Sequence, residues 1–87
     1  MPPKLQTFHF QEGYRLQLIF RDGTEAEIDL EPYLWGEVFE PLRNHFLFYR
    51  AKLDEELGTL TWPNGADFAP EFLWEKAHES RKVAVLS

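Results

Sequence analysis

The amino-acid sequence has no cysteine, no long apolar run and few positive charges. The lack of cysteine excludes a disulfide framework, a thiol nucleophile and a cysteine-ligated zinc site, and it suits a reducing cytoplasm. No apolar run is longer than four residues, as at 46–49, whereas a membrane-spanning helix needs about 20. The first residues, Met1-Pro2-Pro3-Lys4, lack the apolar segment of a secretion signal. We therefore expect a cytoplasmic protein that does not bind membranes.

Residue types that carry catalysis or metal binding are sparse and scattered. The three histidines, His9, His45 and His78, lack the spacing of metal ligands, and both serines, Ser80 and Ser87, lie near the C-terminus. Each of the five glycines stands alone, which excludes a glycine-rich phosphate loop. The sequence therefore predicts no metal, no cofactor and no enzyme activity.

Aromatic residues are abundant for so short a chain. The 87 residues include eight Phe, three Tyr and three Trp, and each buried ring removes about 150–250 Å² from water. This length corresponds to one domain, and the rings supply a small core without disulfides. We expect a single domain over residues 1–87, with its ordered core at about 7–78 and a tail at 79–87.

The net charge of -6 is concentrated in one segment. Between Asp22 and Glu40 there are seven acidic residues and neither Lys nor Arg, whereas the other 68 residues hold nine basic and eight acidic ones. The segment therefore carries -7 and the rest of the chain +1. A negative surface repels nucleic-acid phosphates and attracts a basic partner. The simpler interpretation is a solvated surface that keeps the domain soluble.

Alternation along two predicted strands indicates where these acids point. Residues 14–20 and 24–30 alternate apolar with polar side chains. Opposed residues share a sheet face, and a three-residue loop at 21–23 has the length that opposes apolar to apolar residues. The predicted pairs are Phe20–Thr24, Leu18–Ala26 and Leu16–Ile28 on the core face, and Ile19–Glu25, Gln17–Glu27 and Arg15–Asp29 on the polar face. We call Glu25, Glu27 and Asp29 the acidic row.

The same matching of apolar with apolar residues across a hairpin predicts two further hairpins. A loop at 11–13 completes a three-stranded antiparallel meander, and a loop at 55–58 closes a second hairpin whose first strand covers 49–53. The predicted pairs are Phe10–Tyr14 and Phe8–Leu16, with His9 beside Arg15, in the first, and Leu53–Leu60 and Ala51–Trp62 in the second.

Helices are predicted in two places. Between 31 and 44, Trp35, Val38, Phe39 and Leu42 recur at helical spacing, but Gly36 and Pro41 interrupt it, so one or two short turns are expected. A longer helix begins near Pro70. It turns Ala69, Phe72, Leu73 and Ala77 to the core, with Trp74 on its flank.

The tail and the overall architecture complete the predicted fold. Residues 83–86 are apolar and β-prone, which predicts an edge strand, a partner contact such as a homodimer contact, or a frayed end. The expected fold is a two-layer α+β domain, a meander plus a second hairpin with the C-terminal helix packed on one face.

A compact turn lies between the second hairpin and this helix. Trp62, Pro63, Asn64, Gly65 and Asp67 belong to the run Trp-Pro-Asn-Gly-Ala-Asp, in which Asn-Gly favours a tight turn. Asp67 precedes the helix and is predicted to cap it. A structural role is expected, with a ligand site or a general base at Asp67 as the alternative.

The run GTLTWPNGADFAPEFL at 58–73 resembles the bacterial family called domain of unknown function 2442. Shorter matches in the same order extend the resemblance over about residues 8–75. It implies a compact α+β domain, found alone or fused to a helix-turn-helix, with no established catalytic residues. It also implies a neighbouring gene for a second small protein, with a proposed toxin–antitoxin pairing in which this family is the antitoxin.

Three functions follow, in order of preference. The first is an antitoxin-like interaction module that binds a basic protein, such as the product of a neighbouring gene, through the acidic row and Trp74. The second is a small-ligand-binding or catalytic domain that uses the turn from Trp62 to Asp67 with Trp74. The third is a transcription-related accessory domain that does not itself bind nucleic acid.

Overall fold

The structure, a computed structural model, describes the backbone of residues 3–86 and the side chains of residues 3–79. A three-stranded antiparallel sheet has the order β1-β2-β3, and β4 and β5 form a separate hairpin. The strands are β1 Leu5–Phe10, β2 Arg15–Phe20, β3 Glu25–Asp29, β4 Lys52–Asp54 and β5 Thr59–Thr61. The helices are α1 Gly36–Phe39, α2 His45–Phe48 and α3 Pro70–Leu86, with 3-10 helices at Glu31–Tyr33 and Glu40–Arg43. The predicted α+β fold is confirmed.

The register of β2 and β3 is the predicted one. Leu18 pairs with Ala26 and Gln17 with Glu27, and the Phe20 N–H donates to the Thr24 carbonyl at 2.8 Å. The loop between them is stabilised by the Asp22 carboxylate, which accepts from the Thr24 N–H at 3.0 Å. The three-residue loop therefore places the acidic row on the face away from the core.

The predicted register of β1 and β2 is wrong by two residues. Phe10 pairs with Leu16, and His9 pairs with Gln17 rather than Arg15. Tyr14 leaves the ladder because its ring stacks on His45, with 4.4 Å between centroids, and its hydroxyl donates to the Arg43 carbonyl. Since a shift of two keeps every side chain on its face, the faces remain as predicted.

The second hairpin is shorter than predicted. Leu53 pairs with Leu60 as expected, but the predicted Ala51–Trp62 pair is absent from the β4–β5 ladder. The chain is still helical before it, since the Tyr49 N–H donates to the His45 carbonyl at 2.9 Å. Tyr49 and Arg50 therefore form a turn directly after α2, and β4 begins only at Lys52.

The acidic segment after β3 folds into more short helical turns than expected. The two 3-10 helices, α1 and α2 lie between Glu31 and Phe48. Trp35 is 62% exposed and Val38 46% exposed, so the predicted apolar face is only partly correct, whereas Leu42 is fully buried. The Arg43 guanidinium lies 4.3 Å from the centre of the Trp35 ring, which covers part of that ring.

Helix α3 closes the core on one face of the sheet. It begins at Pro70 as predicted, packs against β3 and buries Leu73 and Ala77, whereas Ala69 is exposed. Of the three alternatives given for residues 83–86, the edge strand is wrong, because the backbone is helical through Leu86. The side chains of that stretch, and with them the predicted homodimer contact, lie outside the described residues. Within residues 3–86, no helix is long and apolar enough to cross a membrane.

Candidate functional site

The acidic row lies on the exposed face of β3. Along this strand, exposed Glu25, Glu27 and Asp29 alternate with buried Ala26 and Ile28. The inward residues join the core, so the carboxylates face solvent on the opposite side of the sheet. The predicted row is therefore present as three neighbouring side chains about 6.6–6.8 Å apart.

Neighbouring polar side chains form an ion pair and hydrogen bonds with carboxylates of the acidic row. The Arg15 Nε lies 3.4 Å from the Glu27 Oε1, and the Gln17 amide donates to the Glu25 Oε1 at 3.4 Å. With its amide nitrogen turned towards Glu27, Gln11 donates to both carboxylate oxygens, at 2.9 and 3.3 Å. Glu25 and Asp29 add two further carboxylates to the face on which Glu27 pairs with Arg15, so this part of the face is negative.

A shallow depression adjoins the end of the row. It has a volume of about 300 Å³ and is lined by Glu12, Gly13, Tyr14, Arg15, Asp29 and Glu31. The Asp29 Oδ1 accepts from the Glu31 N–H at 3.0 Å, so this carboxylate also holds the start of the 3-10 helix. Among the described residues, no group of three His, Asp or Glu side chains is arranged to hold a metal ion.

Trp74 lies on the other side of the sheet from the acidic row. Its ring packs edge-on against Phe20 at 5.2 Å and against His78 at 4.1 Å, and Phe20 is a core residue. The predicted partner-binding residues are therefore not brought together. The alternation of side chains along β3 was enough to assign the acids to the outer face. The position of Trp74 depends on how α3 packs on the sheet.

In the Trp62–Asp67 turn, Trp62 points inwards. It is 4% exposed, and its indole Nε1 donates to the Phe48 carbonyl at 2.9 Å. Its own N–H donates to the Ala66 carbonyl at 2.9 Å, and the Gly65 N–H donates to the Trp62 carbonyl at 3.0 Å. The tryptophan therefore closes the turn and joins it to α2.

Asn64 makes the second connection of this turn. Its Oδ1 accepts from the Ala66 N–H at 3.1 Å, and its Nδ2 donates to the Val38 carbonyl at 2.9 Å. Gly65 has a φ of 90°, a left-handed conformation that favours glycine. Both residues of the Asn-Gly pair therefore have structural tasks, and the turn is anchored to α1 as well as α2.

Asp67 does not cap α3 as predicted. Its side chain is exposed and its backbone bridges to Thr61. No hydrogen bond joins its carboxylate to the backbone of residues 3–86 or to the side chains of residues 3–79. Because α3 begins three residues later, at Pro70, the carboxylate is too early in the chain to serve as the N-cap. The adjoining segment is held instead by Thr59, whose hydroxyl donates to the Phe68 carbonyl at 2.6 Å.

An exposed aromatic side chain on α2 was not identified from the sequence. Phe46 is 88% exposed and, with Asn44, Leu47 and Arg50, lines a depression of about 200 Å³. The sequence signal was the apolar run 46–49, in which only Phe48 is fully buried. One helical turn cannot bury four consecutive side chains on one face.

Comparison with known proteins gives a family and no functional relative. No curated protein and no solved structure matched the chain. A family model described as protein of unknown function (DUF2442) matches residues 6–79. This match covers all five strands except Leu5, and the first ten residues of α3, and the chain therefore belongs to that family.

Proposed function

We propose that this protein is a protein–protein interaction module that binds a basic partner through the acidic row. The observation that carries the proposal is the placement of Glu25, Glu27 and Asp29 side by side on an exposed sheet face. Ion pairing with Arg15 accounts for one of the three charges. An excess of one sign on an exposed surface steers partners of the opposite sign.

An antitoxin-like role in a bacterial cytoplasm is the specific form of this proposal. It is supported by membership of the family and by the gene neighbourhood that the family resemblance implies. The partner is then the product of the neighbouring gene, with a surface rich in Lys and Arg. Trp74 is not part of the proposed contact surface, because it packs with Phe20 on the opposite side of the sheet.

No contact in the turn favours a ligand site or catalysis there. The polar side-chain groups of Trp62 and Asn64 already form hydrogen bonds with backbone groups of Phe48, Ala66 and Val38. The ligand-binding or catalytic alternative and the transcription-related alternative therefore stay predictions from the sequence.

The test is co-expression with the product of the neighbouring gene, followed by pull-down and titration. The test variant neutralises the row as Glu25→Gln, Glu27→Gln and Asp29→Asn, which keeps side-chain shape and leaves an acceptor for the Glu31 N–H. The matched control neutralises three exposed acids elsewhere, as Glu55→Gln, Glu56→Gln and Glu71→Gln. Both variants lose the same formal charge.

The row variant is expected to bind at least about tenfold more weakly, mainly through slower association. The control is expected to bind like the wild type, and added salt is expected to reduce the difference between them. A wild-type protein that forms no complex, or equal losses in the two variants, would contradict the proposal.

A further inference from the structure

The same strand that carries the acidic row also ends the sheet. In the order β1-β2-β3, β3 is an edge strand within residues 3–86. An edge strand directs half of its backbone N–H and C=O groups away from the sheet, and these groups can pair with another strand. The exposed surface of β3 therefore includes a backbone edge as well as a charged face.

Register identifies the residues whose backbone groups point outwards. The Phe20 N–H donates to the Thr24 carbonyl, and the Leu30 N–H donates to the Tyr14 carbonyl. Since hydrogen-bonded positions alternate along an antiparallel pair, the even-numbered residues 24–30 point their backbone groups at β2. The backbone groups of Glu25 and Asp29, at the odd positions, point away from β2.

The two edges of the sheet differ. At β1, the Leu5 N–H donates to the Gly58 carbonyl at 3.0 Å, the Lys4 ammonium donates to the Glu56 carbonyl at 2.8 Å, and the ladder is irregular between Leu5 and Thr7. These contacts join that edge to the second hairpin. The β3 segment has neither the proline, the lysine nor the irregularity that usually protects an edge.

Charge selects the strand that can pair with this edge. A second copy pairing antiparallel about Glu27 would set Glu27 opposite Glu27 and Glu25 opposite Asp29. Like charges directly opposed on a sheet destabilise the pairing, so the acidic row disfavours self-association through β3. A strand with Lys or Arg at alternate positions places each cation beside a carboxylate of the row instead.

We propose that β3 accepts an extended basic segment of the partner as a fourth strand of the sheet. The inference rests on the proposed function and specifies its geometry. The segment has Lys or Arg at every second residue, because the acids repeat every two residues along β3. The backbone edge binds the segment, as in other cases of strand addition, and the carboxylates select its side chains.

The test uses a synthetic peptide that alternates Lys and Thr over about nine residues. Two control peptides have the same sequence and charge, one N-methylated at the lysines and the other at the threonines. When the lysine side chains lie opposite the acidic row, the backbone N–H groups of the lysines pair with β3. The backbone N–H groups of the threonines then point away from the sheet. Only methylation at lysine then removes the pairing donors.

The parent and threonine-methylated peptides are expected to bind alike, and the lysine-methylated peptide at least about tenfold more weakly. Amide hydrogen exchange at Glu25 and Asp29 is expected to slow only with the first two. Equal binding of all three peptides, abolished by the row variant, would overturn strand addition and leave the proposed function intact. Binding of none of them by the wild type would overturn strand addition, and the titration with the neighbouring gene product would still decide the proposed function.

Two variants of the protein test the β3 edge by changing the protein instead of the peptide. Glu25→Pro and Glu25→Gln remove the same charge, but only proline also removes the outward N–H, at the first position of a strand where proline is tolerated. The proline variant is expected to bind the parent peptide at least about fivefold more weakly than the glutamine variant. Equal affinities, with β3 intact by amide exchange, would overturn the inference.

Discussion

The indole Nε1 of Trp62 donates a hydrogen bond to the backbone carbonyl of Phe48 at 2.9 Å. The two aromatic rings also pack together, with 6.0 Å between centroids. Asn64 makes a parallel connection to the Val38 carbonyl. The Trp62–Asp67 turn therefore fastens α1 and α2 to the core, which gives the most distinctive run of the sequence a structural explanation.

Trp62→Phe is expected to lower the free energy of unfolding by about 1–3 kcal/mol. The substitution removes the indole donor of the Phe48 carbonyl, which keeps only the longer hydrogen bond from the Ala51 N–H at 3.3 Å, and it removes part of a packed ring. Urea unfolding followed by circular dichroism measures the change. The control, Trp35→Phe, alters an exposed ring that contacts Arg43 and is expected to cost less than about 1 kcal/mol. Equal losses would contradict the assigned role of Trp62.

Two variants of Asn64 separate its two hydrogen bonds. Asn64→Ala removes both and is expected to cost about 1–2 kcal/mol of unfolding free energy. Asn64→Asp keeps the acceptor for the Ala66 N–H but loses the donor to Val38, so about half of that loss is expected. Urea unfolding distinguishes the variants. An aspartate variant as unstable as the alanine variant would show that the contact with α1 dominates.

Gly65→Ala tests the left-handed backbone of the turn. A Cβ at this position meets no atom within 4 Å, so the expected loss of about 1–2 kcal/mol comes from the φ of 90° rather than from a clash. Thermal and urea unfolding measure the loss. Gly65→Asn is the control, because asparagine tolerates this region better than alanine, and it is expected to lose less. A neutral alanine variant would contradict the assigned conformation.

Acid is expected to destabilise the 21–23 loop through Asp22. The hydrogen bond from the Thr24 N–H lowers the pKa of this carboxyl below its ordinary value of 3.8. A pKa lowered by folding contributes stability that is present above the unfolded value and is lost as pH falls through the folded value. Asp22→Asn keeps an acceptor but does not titrate there.

The measurement is urea unfolding of the wild type and of Asp22→Asn between about pH 6 and pH 2. Subtracting the two curves cancels the other carboxyl groups, which both proteins share. The difference in unfolding free energy between the wild type and Asp22→Asn is expected to be constant above about pH 5 and to decline below about pH 4. A difference that does not vary with pH would contradict the assigned hydrogen bond.

Local patterns predicted most of the sheet because strand faces obey a period of two. The loop at 21–23 and the alternation on either side fixed the β2–β3 register and the outward acidic row. The β1–β2 register was missed by two residues, an error that alternation cannot detect because it leaves both faces unchanged. Tyr14 decided it through contacts with His45 and Arg43, about 30 residues away in sequence.

The sequence by itself determined the α+β class, the start of α3 at Pro70, the faces of the strands and the place of the acidic row. These depend on local periodicity and on proline and glycine backbone preferences, which neighbouring residues fix. Only the tertiary structure decided the anchoring of Trp62 on Phe48, the separation of Trp74 from the acids, and the open edge at β3. These features depend on which segments, distant in sequence, pack together. That packing is decided by burial of the aromatic core, to which the whole chain contributes.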